Sequence, residues 1–150
     1  MPTLTIPSPL GALTIEERGD AIVAVHWGRA PKEAPTPLLQ EAARQLGEYF
    51  AGARRDFDLP LNPGGSPLEQ AVWAAMARIP YGQTRSYGEI ASEVGDTPQS
   101  VGSACGSNPI PVIIPCHRVL AAEGKLGGYS GAGGTKTKTT LLVLEGALLV

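Results

Sequence analysis

A cysteine and a histidine stand side by side in the stretch Ile113-Ile114-Pro115-Cys116-His117-Arg118-Val119. A thiolate is a strong nucleophile, but a free thiol titrates near about 8.5 and is only a few per cent ionised at neutral pH. A neighbouring imidazole, directly or through one water, raises the reactive fraction at the moment of attack. The β-branched run 112–114 is expected to form a buried strand. Pro109, Pro111 and Pro115 around it cannot donate to a ladder and force the chain out of the sheet. Successive residues of a strand point to opposite faces, so coupling the two side chains needs a water relay or a bend. Taken alone, such a pair is more often a buried structural cysteine beside a surface histidine.

Other chemistries are narrowed by composition. The cysteines are Cys105 and Cys116 and the histidines His26 and His117, too few for a disulfide framework or a zinc set, and no metal is expected. Cys105 reads as a small helix-packing residue. The formal net charge of −2 does not mark a nucleic-acid binder. The acidic excess lies in the first 65 residues, so any DNA surface must be a local patch, with Arg85, Arg118, Lys125, Lys136 and Lys138 as candidates. No apolar run approaches the ~20 residues of a membrane span. The N-terminus lacks a basic segment followed by an apolar block, and a cytoplasmic protein is expected.

These residues need elements to hold them. Residues 3–6, 11–17 and 21–27 alternate apolar and polar and predict a three-stranded antiparallel meander. After a loop, Thr36-Pro37 supplies an N-cap and a first-turn proline for a helix ending at Gly52, with Leu38, Leu39, Ala42, Leu46, Tyr49 and Phe50 on one face. Residues 53–65 form a Pro- and Gly-containing linker, which places a boundary near 62–65 and predicts domains 1–62 and 63–150. Ser66-Pro67-Leu68-Glu69 is a capping box, and its helix is expected to bury Leu68, Val72, Trp73, Met76 and Ala77. Ser86-Tyr87-Gly88-Glu89 is a second capping box, Gly95 a stop, and Thr97-Pro98 a further start. Two short helices joined by a tight turn predict a helix-turn-helix, with Gln99 and Ser100 at the start of its second helix. Gly124 to Gly134, with Tyr129 and Ser130 inside, reads as a loop that can approach a flat ligand closely. Lys138 to Leu144 predicts a last helix; Glu145 at its end, folded back to His117, could hold the imidazole in one tautomer.

Pro115-Cys116-His117-Arg118-Val119, with Asn108-Pro109 before it, resembles the active-site signature of the O6-alkylguanine-DNA alkyltransferases, the methylated-DNA–protein-cysteine methyltransferase family. The likeness extends through Tyr81-Gly82-Gln83-Thr84-Arg85-Ser86-Tyr87-Gly88-Glu89-Ile90-Ala91, Gly127-Gly128-Tyr129-Ser130-Gly131 and the closing Lys138, Leu141-Leu142 and Leu144-Glu145-Gly146, and covers 66–150. It implies an α+β chain, with a small N-terminal ribonuclease-H-like α/β domain and a mainly helical C-terminal domain carrying the helix-turn-helix and the cysteine. The implied activity is direct repair of double-stranded DNA by a monomer without cofactor. Cys116 takes the alkyl group from O6-alkylguanine, or O4-alkylthymine, irreversibly, after the base is flipped out of the duplex.

The resemblance also implies roles. His117 acts as base through a water, oriented by Glu145. Tyr87 contacts guanine N3 and donates a proton, and Asn108 is a structural hinge. Pro111, Val119, Tyr129, Ser130 and Gly131 bind the base. Thr84, Ser86, Thr97, Gln99, Ser100, Ser103 and Arg118 contact DNA. Gln99 stands where the family has an arginine that fills the gap left by the flipped base. That exchange, with the near-neutral charge, predicts weak, salt-sensitive binding and slower flipping. The alternative within the family's relatives is a non-reactive lesion sensor that recruits other repair factors. Outside it stand a thiol hydrolase using Cys116, His117 and Glu145, and a helix-turn-helix module with an inert cysteine.

Overall fold

A computed structural model describes residues 2–129, 131 and 133–148, which form two compact units, Met1–Gly64 and Gly65–Val150. In the first unit, β1 (Thr3–Ile6), β2 (Leu13–Arg18) and β3 (Ala21–Trp27) make an antiparallel sheet in that order. Leu13, Ile15, Ile22 and Val25 are buried. Helix α1 (Pro37–Phe50) packs on the sheet through Leu39, Ala42, Leu46 and Tyr49. Thr36 caps α1 by accepting from the Leu39 amide at 3.1 Å and donates in turn to the Glu17 carboxylate. The expected linker is not wholly free, because Leu61 bridges in parallel to Ile22 on β3. His26 is exposed and lies 2.7 Å from Glu16.

The second unit holds the Cys-His pair. Helix α2 (Pro67–Ala77) starts at the Ser66/Glu69 capping box. Its buried face is Val72, Trp73, Ala75 and Met76; Leu68 is half-buried and Ala77 exposed, a small rotation from the expected stripe. Strand β4 (Arg85–Ser86) leads into α3 (Tyr87–Val94), which has its own capping box at Ser86/Glu89 and a left-handed Gly95 at φ 75. Helix α4 (Pro98–Gly106) starts at Thr97, whose hydroxyl accepts from the Ser100 amide at 3.1 Å. Helices α2, α3 and α4 pack on one another. Trp73 locks two of them together by donating its indole N–H to the Ala104 carbonyl at 2.8 Å. Strand β5 (Val119–Leu120) pairs in parallel with β4, and α5 (Thr135–Leu144) packs against the turn that carries Cys116.

The expected strand at 112–114 does not form. The segment is buried but turns, and it is closed locally by Ile114 N–H to the Ile110 carbonyl at 2.9 Å. Three prolines deny it ladder donors, and Asn108 supplies the substitute. Its amide accepts from the Ile110 N–H at 3.0 Å and donates to the Ile114 carbonyl at 2.9 Å. Val112 at φ 71 is a β-branched residue in the left-handed region, a conformation held only because the loop around it is pinned.

Candidate active site

Pro115 makes the bend that places the cysteine. With φ −83 and ψ 69 it sits in the inverse γ-turn region, and the Cys116 amide donates to the Ile114 carbonyl at 2.8 Å. Cys116, His117 and Arg118 then form one 3₁₀ turn. The pair is therefore on a turn and not on opposite faces of a strand.

His117 is fully buried, and burial drives its pKa below the ordinary histidine value against the opposing pull of Glu145. Its Nε2 lies 2.8 Å from Glu145 Oε2. Glu145, at the C-terminal end of α5, is also held by Arg118, which donates from Nε at 2.8 Å and from Nη2 at 2.9 Å. Arg118 further donates from Nη1 to the Ile79 carbonyl at 2.7 Å, and its guanidinium lies 5.8 Å from the Tyr81 ring centre. A carboxylate facing an arginine accepts, so the neutral imidazole carries its proton on Nε2 and leaves Nδ1 as the basic nitrogen. Nδ1 has no partner among the described residues.

Cys116 opens onto a cavity of about 330 Å³, which is also lined by Tyr87, Gly102, Cys105, Gly106, Gly128 and Tyr129. A Cβ added at Gly102, Gly106 or Gly128 would meet nothing within 4 Å, so the missing side chains widen the cavity. Burial pushes the Cys116 thiol up, while the Asn108 side chain, the Lys138 charge and the Tyr129 side chain pull it down. Tyr87 is pushed up to about 12, first by burial and then by the two thiols. Its phenol therefore stays protonated and able to donate at neutral pH. Tyr129 is raised further, again mainly by burial. Gly127, at φ 68, lets the glycine-rich loop approach Tyr87; a Cβ there would lie 3.3 Å from the ring.

Of the residues singled out in the sequence, Cys116, Tyr87 and Tyr129 share the cavity, His117 follows Cys116 on the same turn and pairs with Glu145, and Asn108 braces the loop. Pro111 is buried without lining the cavity, and Gly131 is half-buried, outside the lining. Val119 is buried, and its carbonyl already accepts from Lys138 Nζ at 2.7 Å. Ser130 lies outside the described residues. Ser86, Gln99, Tyr87 and Gly102 line a second groove of about 370 Å³ along α3 and α4. Thr84, Thr97, Gln99 and Ser103 are exposed and Ser100 half-exposed, although the Ser86 and Thr97 hydroxyls are occupied as helix caps. Arg118 is a correction. It is 5 % exposed and committed to Glu145, so it presents no charge to DNA. Lys138 is another: it is fully buried, bonded to the Val119 and Gly128 carbonyls, and 5.7 Å from the Tyr87 ring centre.

Two contributors were missed in the sequence. Lys138 ties β5 to the glycine-rich loop and places a positive charge near the thiols; only its apolar helical neighbours hinted that it points inward. Cys105 lines the cavity as well as packing the helix, and the spacing Gly102, Cys105, Gly106 on one helical face was the available signal. Among the described residues no group of carboxylates, histidines and cysteines could hold a metal, and no helix is long and apolar enough to cross a membrane.

Comparison with known proteins fits this geometry. Residues 67–147 match the family described as 6-O-methylguanine DNA methyltransferase, DNA binding domain, and residues 3–63 match its ribonuclease-like domain. The constitutive methylated-DNA–protein-cysteine methyltransferase of Bacillus subtilis is 42% identical, over 94% of this chain and 93% of its own. The Mycobacterium leprae methylated-DNA–protein-cysteine methyltransferase is 50% identical, over 94% and 90%. The crystal structure of Mycobacterium tuberculosis OGT in complex with DNA superposes with a TM-score of 0.88 at 42% identity, covering 98% of this chain and 94% of that one. With both units matched and the cysteine turn inside the matched region, this chain belongs to the 6-O-methylguanine DNA methyltransferase family.

Proposed function

We propose that this protein repairs alkylated DNA directly, moving the alkyl group from guanine O6 to Cys116 in one irreversible displacement. The Cys116 Sγ attacks the alkyl carbon, the S–C bond forms, and the C–O6 bond breaks with its electron pair leaving on guanine. The thiol proton passes through one water to His117 Nδ1. Glu145 keeps the other ring nitrogen protonated, and Arg118 holds Glu145. Tyr87 donates to guanine N3 as negative charge builds on the departing base. A thioether offers water no good leaving group, so each molecule acts once.

The observation that carries this reading is the placement of the buried Cys116 thiol at an open cavity, with the next residue of its turn, His117, paired to Glu145 through Nε2 so that its free nitrogen is the basic one. Tyr87 and Tyr129 supply aromatic walls for a flat base. The base reaches such a cavity only by leaving the duplex, and the groove along α3 and α4, with Gln99 at its edge, is where the duplex would dock. A lesion sensor has no need of the thiol or of the His117–Glu145 arrangement, whereas transfer needs both.

The test is transfer of label from a duplex carrying O6-[³H-methyl]guanine to the protein. The reading expects one methyl per molecule at saturation and none with Cys116→Ala, which should still bind the duplex. Continued turnover, or label on the Cys116→Ala variant, would overturn it.

A further inference from the structure

The second unit carries six cations, Arg78, Arg85, Arg118, Lys125, Lys136 and Lys138, yet few of them are available to a polyanion. Arg118 and Lys138 are buried in the site already described. Glu93 on α3 pairs with two more: Arg85 Nη1 donates to its Oε1 at 2.6 Å, and Arg78 Nη2 to its Oε2. These arginines hold the Glu93 carboxyl below its ordinary value. Arg85 also donates to the Glu89 carbonyl, and it stands one residue before the docking groove, whose lining begins at Ser86. That groove is lined by Ser86, Tyr87, Gly88, Gln99, Gly102 and the Ala121-Ala122 edge, all uncharged. Helix α4 carries no charged residue at all. Lys125 and Lys136 remain exposed, with no ion pair among the described residues.

We infer that the α3–α4 face engages duplex DNA with almost no cationic contact, and that Glu93 acts as an internal counter-ion that keeps Arg85 and Arg78 off the phosphates. This rests on the DNA-repair reading above and deepens it. Affinity then comes from close backbone approach, neutral hydroxyl and amide groups, and the base in the cavity. Sequence-independent attraction stays small, which favours discrimination of a lesion over release of counter-ions. Binding is weak, as the low charge predicts, but its salt dependence is shallow rather than steep.

The test is fluorescence anisotropy of the full chain on one duplex, with and without O6-methylguanine, between 50 and 200 mM KCl. Each phosphate neutralised contributes a slope of about −0.9 in log affinity against log salt. With three contacts or fewer, affinity falls by less than about 40-fold over this range. Glu93→Gln frees up to two arginines. It should bind both duplexes more tightly at 50 mM, and lose about 3- to 12-fold more than the parent over the same range. Lys125→Ala with Lys136→Ala should flatten the parent's slope towards zero, an independent check if Glu93→Gln alters the fold as judged by circular dichroism. A parent slope steeper than the three-contact limit, or Glu93→Gln folded and indistinguishable from the parent, overturns the inference while leaving the repair function standing. No duplex binding at any salt would remove both.

Discussion

Cys105 and Cys116 face the same cavity, both are nearly inaccessible, and both thiols are raised above the ordinary cysteine value by burial. What surrounds them differs in kind. Cys105 sits in the regular turns of α4 and donates to the Met76 sulfur at 3.4 Å, so its hydrogen is spent on a weak acceptor in the core. Its pKa is pushed up to about 12, by burial first and then by the neighbouring Cys116, and only the Lys138 charge opposes that. Cys116 sits on a pinned turn where Asn108, Lys138 and Tyr129 all favour its thiolate. His117, the base proposed above, is the next residue of the same turn, and its imidazole is paired with Glu145. On the proposed function, reactivity is a property of positioned partners and not of exposure: helical backbone satisfies itself and offers a cysteine little, while an irregular turn must recruit side chains that can also serve chemistry.

Removing each thiol in turn separates the two surroundings most strongly. Cys116→Ala should abolish transfer completely, whereas Cys105→Ala should transfer at close to the parental rate; quenched-flow with a labelled duplex measures both. Loss of transfer in Cys105→Ala with the fold intact would mean that the two surroundings are not separable. Next in size is the proposed base. His117→Ala should slow transfer by roughly 10²–10⁴-fold, the usual contribution of a positioned general base, measured under single-turnover conditions.

Glu145→Gln reads the same turn through stability. It leaves the Arg118 guanidinium buried against a neutral amide, and breaking such a pair costs about 3–5 kcal/mol, read from urea unfolding. The same cluster sets a pH dependence. The folded His117 has a pKa below its unfolded value of about 6.5. As pH falls below that value the unfolded chain takes up the proton first, so stability present at neutral pH is lost progressively towards the folded pKa. His117→Phe should flatten that acid limb in denaturation curves taken from pH 7 to 5.

Smaller effects follow from the thiolate's partners. Asn108→Ala or Tyr129→Phe removes a group that lowers the Cys116 pKa, so the pH–rate curve for free O6-benzylguanine should move to higher pH. An unmoved curve would deny these side chains any hold on the thiol. The smallest change expected concerns the groove and not the cavity. Gln99→Arg should speed repair of duplex more than reaction with the free base.

Helix boundaries in this chain were legible because their signals are local. The Ser66/Glu69 and Ser86/Glu89 boxes, the Thr36 and Thr97 caps and the left-handed Gly95 act over three or four residues, and each stands where the sequence placed it. The meander, too, follows from alternation, although β2 begins at Leu13 and not at residue 11. What failed was long-range or depended on a single side chain. The run 112–114 has strand composition, but Asn108 takes the Ile114 carbonyl and the Ile114 N–H turns back to the Ile110 carbonyl, so neither is offered to a neighbouring strand. Arg118 looked like a surface cation because its partner, Glu145, lies 27 residues away in sequence. Lys138 is drawn inward by carbonyls of β5 and of the glycine-rich loop, acceptors that carry no signature in residue type.

The proposed function turns on which sulfur carries the alkyl group. The direct measurement is intact-protein mass spectrometry after saturation with an O6-methylguanine duplex, followed by peptide mapping across Pro98 to Leu120. One added methyl per molecule, found on Cys116 with Cys105 unmodified, is the predicted result. No mass change, or a methyl shared between the two thiols, would contradict it.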